Sequence, residues 1–82
     1  MVGSMNVTTR KLEVRGKERK TSQKGSEYII VRFEDAETGE SIELCDRDVE
    51  RFDSYERGKQ VKLELEIKTG KFTSITIVSI MK

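Results

Sequence analysis

Apolar residues recur with period two along most of this chain, in runs separated by short polar stretches. That alternation predicts β-strands. Residues 60–68 show it most cleanly, with Val61, Leu63, Leu65 and Ile67 on one face and Lys62, Glu64, Glu66 and Lys68 on the other. Residues 27–35 form a second such run: Ile29, Val31 and Phe33 point one way, Tyr28, Ile30 and Arg32 the other. Residues 6–15 read as the first strand, with Val7, Leu12 and Val14 inward and a phase slip between Val7 and Leu12 that a β-bulge would explain. Residues 41–46 follow as the third strand, with Ile42 and Leu44 inward and Glu43 and Cys45 outward. In the last strand, 71–81, Ile75 and Ile77 share one face while Val78 and Ile80 share the other, so it bends or is covered on both sides.

The connections carry their own signals. Residues 16–26 are a loop with no apolar residue, and Thr38-Gly39 and Thr69-Gly70 mark hairpin turns. Residues 46–59 lack strand alternation. Asp46 or Asp48 could cap a short helix there, Val49 and Phe52 would share a face, and Gly58 fits just past its end. This segment is expected to plug one end of a barrel, with Phe52 buried. The predicted order is strand, strand, strand, short helix, strand, strand, which is that of an all-β, five-stranded OB-fold, a Greek-key barrel with the helix between strands 3 and 4. Such a barrel holds its ligand across strands two and three, between the loop joining strands one and two and the loop joining strands four and five. Those loops are residues 16–26 and 68–71 here.

At 82 residues the chain is one domain, near the lower size limit for a single hydrophobic core. Closing the sheet helps a chain this short by removing edges, and homodimerisation would help further. Met1-Val2-Gly3-Ser4 precedes a second methionine and reads as a cloning remnant, so 1–4 are excluded and 5–82 taken as the domain. The single cysteine, Cys45, rules out an internal disulfide framework. No apolar run is long enough for a signal peptide or a membrane span, so the expectation is a cytoplasmic protein with no membrane partner.

The net charge of +1 hides an asymmetry. Residues 1–24 hold seven Lys/Arg against Glu13 and Glu18, a balance of +5, and the remainder sums to −4. The positive segment points to a local anionic partner. A solvated hairpin loop is the plainer reading of 16–26; a basic arm closing over phosphates is the functional one. Tyr28, Ile30 and Arg32 place an aromatic, an aliphatic and a cation on the face expected to be polar, a mixture that stacks on and neutralises nucleic acid. The plainer alternatives are a peripheral core position for Tyr28, an Arg32–Glu43 bridge across the sheet, half-burial for Phe72, and solvated side chains for Lys68 and Lys71.

Two segments carry a family resemblance. Lys24-Gly25-Ser26-Glu27-Tyr28 leads into the second strand, and Lys68-Thr69-Gly70-Lys71-Phe72-Thr73-Ser74-Ile75 leads into the last. In spacing and strand order over residues 11–82, the chain resembles the small single-stranded-DNA-binding proteins of bacteriophages and mobile elements, the group that includes the filamentous-phage gene V protein. The resemblance implies that Tyr28 and Phe72 stack on bases and that Arg15, Arg19, Lys20 and Lys24 contact phosphates. Lys17 belongs to the same basic stretch. The chain departs from the family in its acidic middle: residues 34–56 hold ten Asp/Glu against Arg47 and Arg51, and aromatics on the third strand are missing.

Other chemistry is poorly served. Asp46-Arg47-Asp48-Val49-Glu50 has the opening spacing of a calcium loop, but Arg51 and Arg57 stand where glycine and glutamate are required. Without histidine there is no zinc set and no Ser-His or Cys-His pair, so neither an enzyme nor a cofactor is expected. Cys45 reads as a small filler rather than a reactive thiol. The expected function is sequence-tolerant single-stranded DNA binding in replication or DNA transfer. An RNA-binding barrel, or a protein-interaction module using the acidic middle, are the alternatives.

Overall fold

The computed structural model describes residues 3–81. The strands are β1 (Gly3–Thr8), β2 (Leu12–Thr21), β3 (Glu27–Asp35), β4 (Ser41–Asp46), β5 (Gln60–Thr69) and β6 (Ser74–Met81), with a 3-10 helix at Val49–Ser54. Around the barrel the order is β5-β2-β3-β4-β6, and β6 pairs back onto β5 to close it. This is the expected five-stranded OB-type barrel, its helix between the third and fourth barrel strands. Among the described residues no helix is long and apolar enough to cross a membrane.

The predicted first strand is two strands. β1 and β2 both lie along β5, and their register moves by one residue between Thr8↔Glu64 and Leu12↔Val61. The expected slip is therefore present, and Thr9 bridges it: its amide donates to the Leu63 carbonyl, and its hydroxyl accepts from the Leu63 amide at 3.0 Å. Gly3 and Ser4, excluded from the fold on sequence grounds, belong to β1 and pair with Thr69 and Lys68. Ladder pairing uses backbone groups, so small side chains sufficed for it.

Two further bulges set the phase of the barrel. Arg15 is the extra residue between the pairs Val14↔Phe33 and Gly16↔Arg32. Val78 is the extra residue between Leu65↔Ile77 and Glu64↔Ser79. The second one explains the mixed apolar faces of the last strand: it flips the alternation, so Ile77 and Ile80 both face inward opposite Leu65 and Leu63.

The core is the predicted one along β3 and β5, with Ile29, Val31, Phe33 and Leu63 fully buried. Three expectations fail. Val7 is exposed, because β1 pairs with β5 alone among the described strands and stands outside the closed ring. Ile42 is exposed, because it pairs with Phe33 where β4 begins and little covers it there. Phe52 is only half-buried, and Tyr55, just past the helix, fills the barrel end instead, its ring edge-on to Phe33 at 6.0 Å.

Tyr55 can be buried because its hydroxyl has a partner. It donates to Oδ2 of Asp46, the one buried charged residue among those described. Oδ1 of Asp46 accepts from Arg51 Nη1 at 2.8 Å and from the Asp48 amide at 2.9 Å. Arg51 also donates to the carbonyl of the bulged Val78, and Asp48 caps the helix through the Glu50 amide. One network thus joins the helix, β4 and the β6 bulge.

Burial, then the hydrogen bond to Asp46, raise the Tyr55 phenol well above its ordinary value of 10.0. Above that pH the unfolded chain releases a proton that the folded protein keeps. Stability from Tyr55 is complete below about pH 10 and should fall by up to ~1.4 kcal/mol per pH unit as the solution becomes more alkaline. Urea midpoints measured across this range should show the decline. Tyr55→Phe should remove that part of it while starting from a lower midpoint; an unaltered slope in the variant would refute the assignment.

Candidate nucleic-acid interface

Ladder partners on adjacent strands share a face, so the registers show which side chains meet. Outside the barrel, Tyr28 lies opposite Lys20, Ile30 between Glu18 and Cys45, and Arg32 between Gly16 and Glu43. Tyr28 and Ile30 are half-buried and Arg32 is exposed. The phase predicted for this strand holds, and Tyr28 is on the outer face. Arg32 and Glu43 pair across the sheet, but no ion pair joins them among the described residues. Gly16 gives Arg32 room, since a Cβ there would meet its Nη2 at 3.3 Å.

The predicted loop 16–26 is strand as far as Thr21, and this divides its basic residues. Past the Arg15 bulge the alternation turns Lys17 and Arg19 to the side of Val31 and Ile29. There Lys17 Nζ lies 4.1 Å from the centre of the Phe52 ring and donates to the Phe52 carbonyl at 2.6 Å; the Arg19 guanidinium lies 5.0 Å from the same ring. These two are packing residues of the barrel end and do not share the Tyr28 face. Arg15 is engaged too: the hydrogen bond it donates to Glu13 at 2.6 Å, then the charge of Glu34, raise its pKa. Lys20 stays on the outer face, 4.0 Å from Glu18.

Lys24 sits in the β2–β3 turn, which is closed by Ser22 and Ser26 and by Gly25 with φ 86°. With Tyr28, Cys45 and Arg47 it lines an open groove of about 620 Å³. Arg47 was missed as a site residue. Its signal was available, because Glu43, Cys45 and Arg47 follow one another at period two. Burial raises the pKa of Cys45, with Arg47 opposing, so its thiol is not activated as a nucleophile.

The β5–β6 turn holds the other predicted residues. Phe72 is 81% exposed, the most exposed large apolar side chain described, with Lys71 Nζ 5.8 Å from its ring centre. Lys68 is exposed and 3.7 Å from Glu66. The ladder relates this turn to the Tyr28 face: Ile30 pairs with Cys45, and Cys45 with Thr76, four residues past Phe72. The structure therefore places Lys20, Tyr28, Ile30 and Arg32 on one face, Lys24 on the β2–β3 turn at its edge, Lys68 near the end of β5, and Lys71 and Phe72 on the β5–β6 turn. Arg15 lies at the far end of the same outer face, engaged by the ladder pair Glu13 and Glu34, and only Lys17 and Arg19 are separated from both the face and the turn.

Asp46 and Asp48 are occupied by the Arg51 network, and no cluster of three or more potential metal ligands occurs among the described residues. No family model, curated protein or solved structure matches the chain.

Proposed function

We propose that this protein binds single-stranded nucleic acid, DNA in preference to RNA, across the outer face of β3 and β4 and the β5–β6 turn. The observation that carries the reading is Phe72. An exposed phenylalanine beside a lysine, on a turn that borders the ligand face in this barrel type, is a base-stacking platform in waiting. Tyr28 is the second platform, and Lys20, Lys24, Arg32, Arg47, Lys68 and Lys71 are the cations available to phosphates. The acidic side chains on the same face, Glu18, Glu34 and Glu43, with Glu27 at the edge of the groove, favour a short binding site and modest affinity. A role in replication or DNA transfer, in the manner of the phage proteins the chain resembles, belongs to the same proposal.

Fluorescence-anisotropy titrations with labelled oligo-dT, oligo-rU and duplex DNA test it. Oligo-dT should bind best, and the logarithm of its affinity should fall with the logarithm of salt concentration by about 0.7 per phosphate neutralised. Absence of binding at low salt would refute the proposal.

We also propose that the working form is a homodimer joined along β1. This strand pairs with β5 on one side, contains no charged residue, and presents exposed Met5 and Val7. Such an edge pairs readily with a second copy. Sedimentation velocity should show a dimer that Val7→Lys converts to monomer; a wild-type monomer at all concentrations would exclude it.

A further inference from the structure

A second groove lies away from the β3–β4 face. It is an open trough of about 850 Å³ where the start of β2, the entry to β5 and the end of β6 converge. Lys11, Lys59, Lys62 and Arg51 line it, no carboxylate does among the described residues, and apolar surface predominates through Val61, Ile80 and Met81. The charge is available. Among the described residues Lys11, Lys59 and Lys62 enter no ion pair, whereas Arg51 is committed to Asp46. Three carboxylates are already occupied: Glu64 accepts from Asn6 and Ser79, Glu13 from Arg15, and Glu37 from Arg10.

We infer that this trough is a second binding site, taking an acidic peptide segment whose carboxylates alternate with aliphatic side chains. The lysines supply the complementary charge, and Ile80 and Met81 supply a floor that adapts to an apolar side chain. The trough has no aromatic residue among those lining it, so it offers bases no stacking surface. That separates its ligand class from the nucleic acid proposed for the β3–β4 face. The two sites would let the barrel hold a partner protein while it holds a strand.

The probe is a labelled peptide of alternating Asp and Leu, titrated by anisotropy against the full chain. Saturable, salt-sensitive binding is expected, lost when Asn replaces Asp and when Ser replaces Leu. The double variant Lys59→Glu/Lys62→Glu alters exposed side chains and should keep the wild-type melting temperature. It should weaken the peptide about tenfold or more. Lys11→Glu should act in the same direction, whereas Tyr28→Ala and Phe72→Ala should leave peptide affinity unchanged. The inference is overturned if the peptide does not saturate at low salt, or if the double variant binds it as the wild type does. It is equally overturned if oligo-dT, rather than the peptide, loses affinity in the double variant, for the trough would then belong to the nucleic-acid path. Failure of oligo-dT to bind at all bears only on the β3–β4 face.

Discussion

Arg51→Met is expected to destabilise the protein by about 3 kcal/mol, at the low end of the ~3–5 kcal/mol seen when one partner of a buried ion pair is removed. A quarter of the Arg51 side chain reaches solvent, which moderates the loss, but Asp46 is wholly buried. Without the guanidinium, Asp46 would retain only the Tyr55 hydroxyl and the Asp48 amide, and the carbonyl of the Val78 bulge would lose its donor. A chain of 82 residues has roughly 4–12 kcal/mol of total stability, so this one change removes a large share of it. Urea unfolding checks the magnitude. Arg51→Met/Asp46→Asn should be less destabilised than the two single changes predict, because the neutral amide no longer strands a charge. A loss below about 1 kcal/mol for Arg51→Met would mean that water replaces the guanidinium, and the network would not be a structural keystone.

Phe72→Ala is expected to weaken oligo-dT binding by ~1–3 kcal/mol, about 5- to 150-fold, the contribution of one stacked base. Its stability should stay within ~0.5 kcal/mol of wild type, because an exposed side chain has little packing to lose. This pairing of a large binding effect with almost no folding effect distinguishes a stacking platform from a peripheral core residue. Tyr28→Ala should cost a similar amount of binding together with some stability, since Tyr28 is half-buried. Phe72→Trp should restore affinity, as every base stacks on an indole. A Phe72→Ala protein that binds as tightly as the parent would remove this turn from the interface and leave β3–β4 to account for binding alone.

Much of the barrel was legible because its strands alternate. In β3 and β5 every second residue is apolar, and a register slip would have put Ile29, Val31 and Phe33 in water. The bulge in the first strand could be read from the same alternation, as a phase slip between Val7 and Leu12. The bulge at Arg15 could not. Past Val14 the chain is polar on both faces, so no apolar residue records the change of phase. That is why Lys17 and Arg19, which look like members of a basic arm, lie over Phe52. The polar network escaped for a related reason: hydrophobic pattern identifies apolar core positions, and Asp46 becomes a core residue only through partners brought to it by folding.

The sequence by itself determined the order of the barrel strands, the apolar faces of β3 and β5, and the aromatic positions at 28 and 72. These depend on local alternation and turn chemistry, which a linear chain displays in full. The tertiary structure alone decided which cations remain free. Lys17, Arg19, Arg15 and Arg51 are committed to Phe52, Glu13 and Asp46, whereas Lys24, Arg47, Lys11, Lys59 and Lys62 remain available. A cation is held by whatever lies within a few ångströms of it, a carboxylate that offsets its charge or a ring that fixes its position, and in a barrel those neighbours come from strands far apart in sequence.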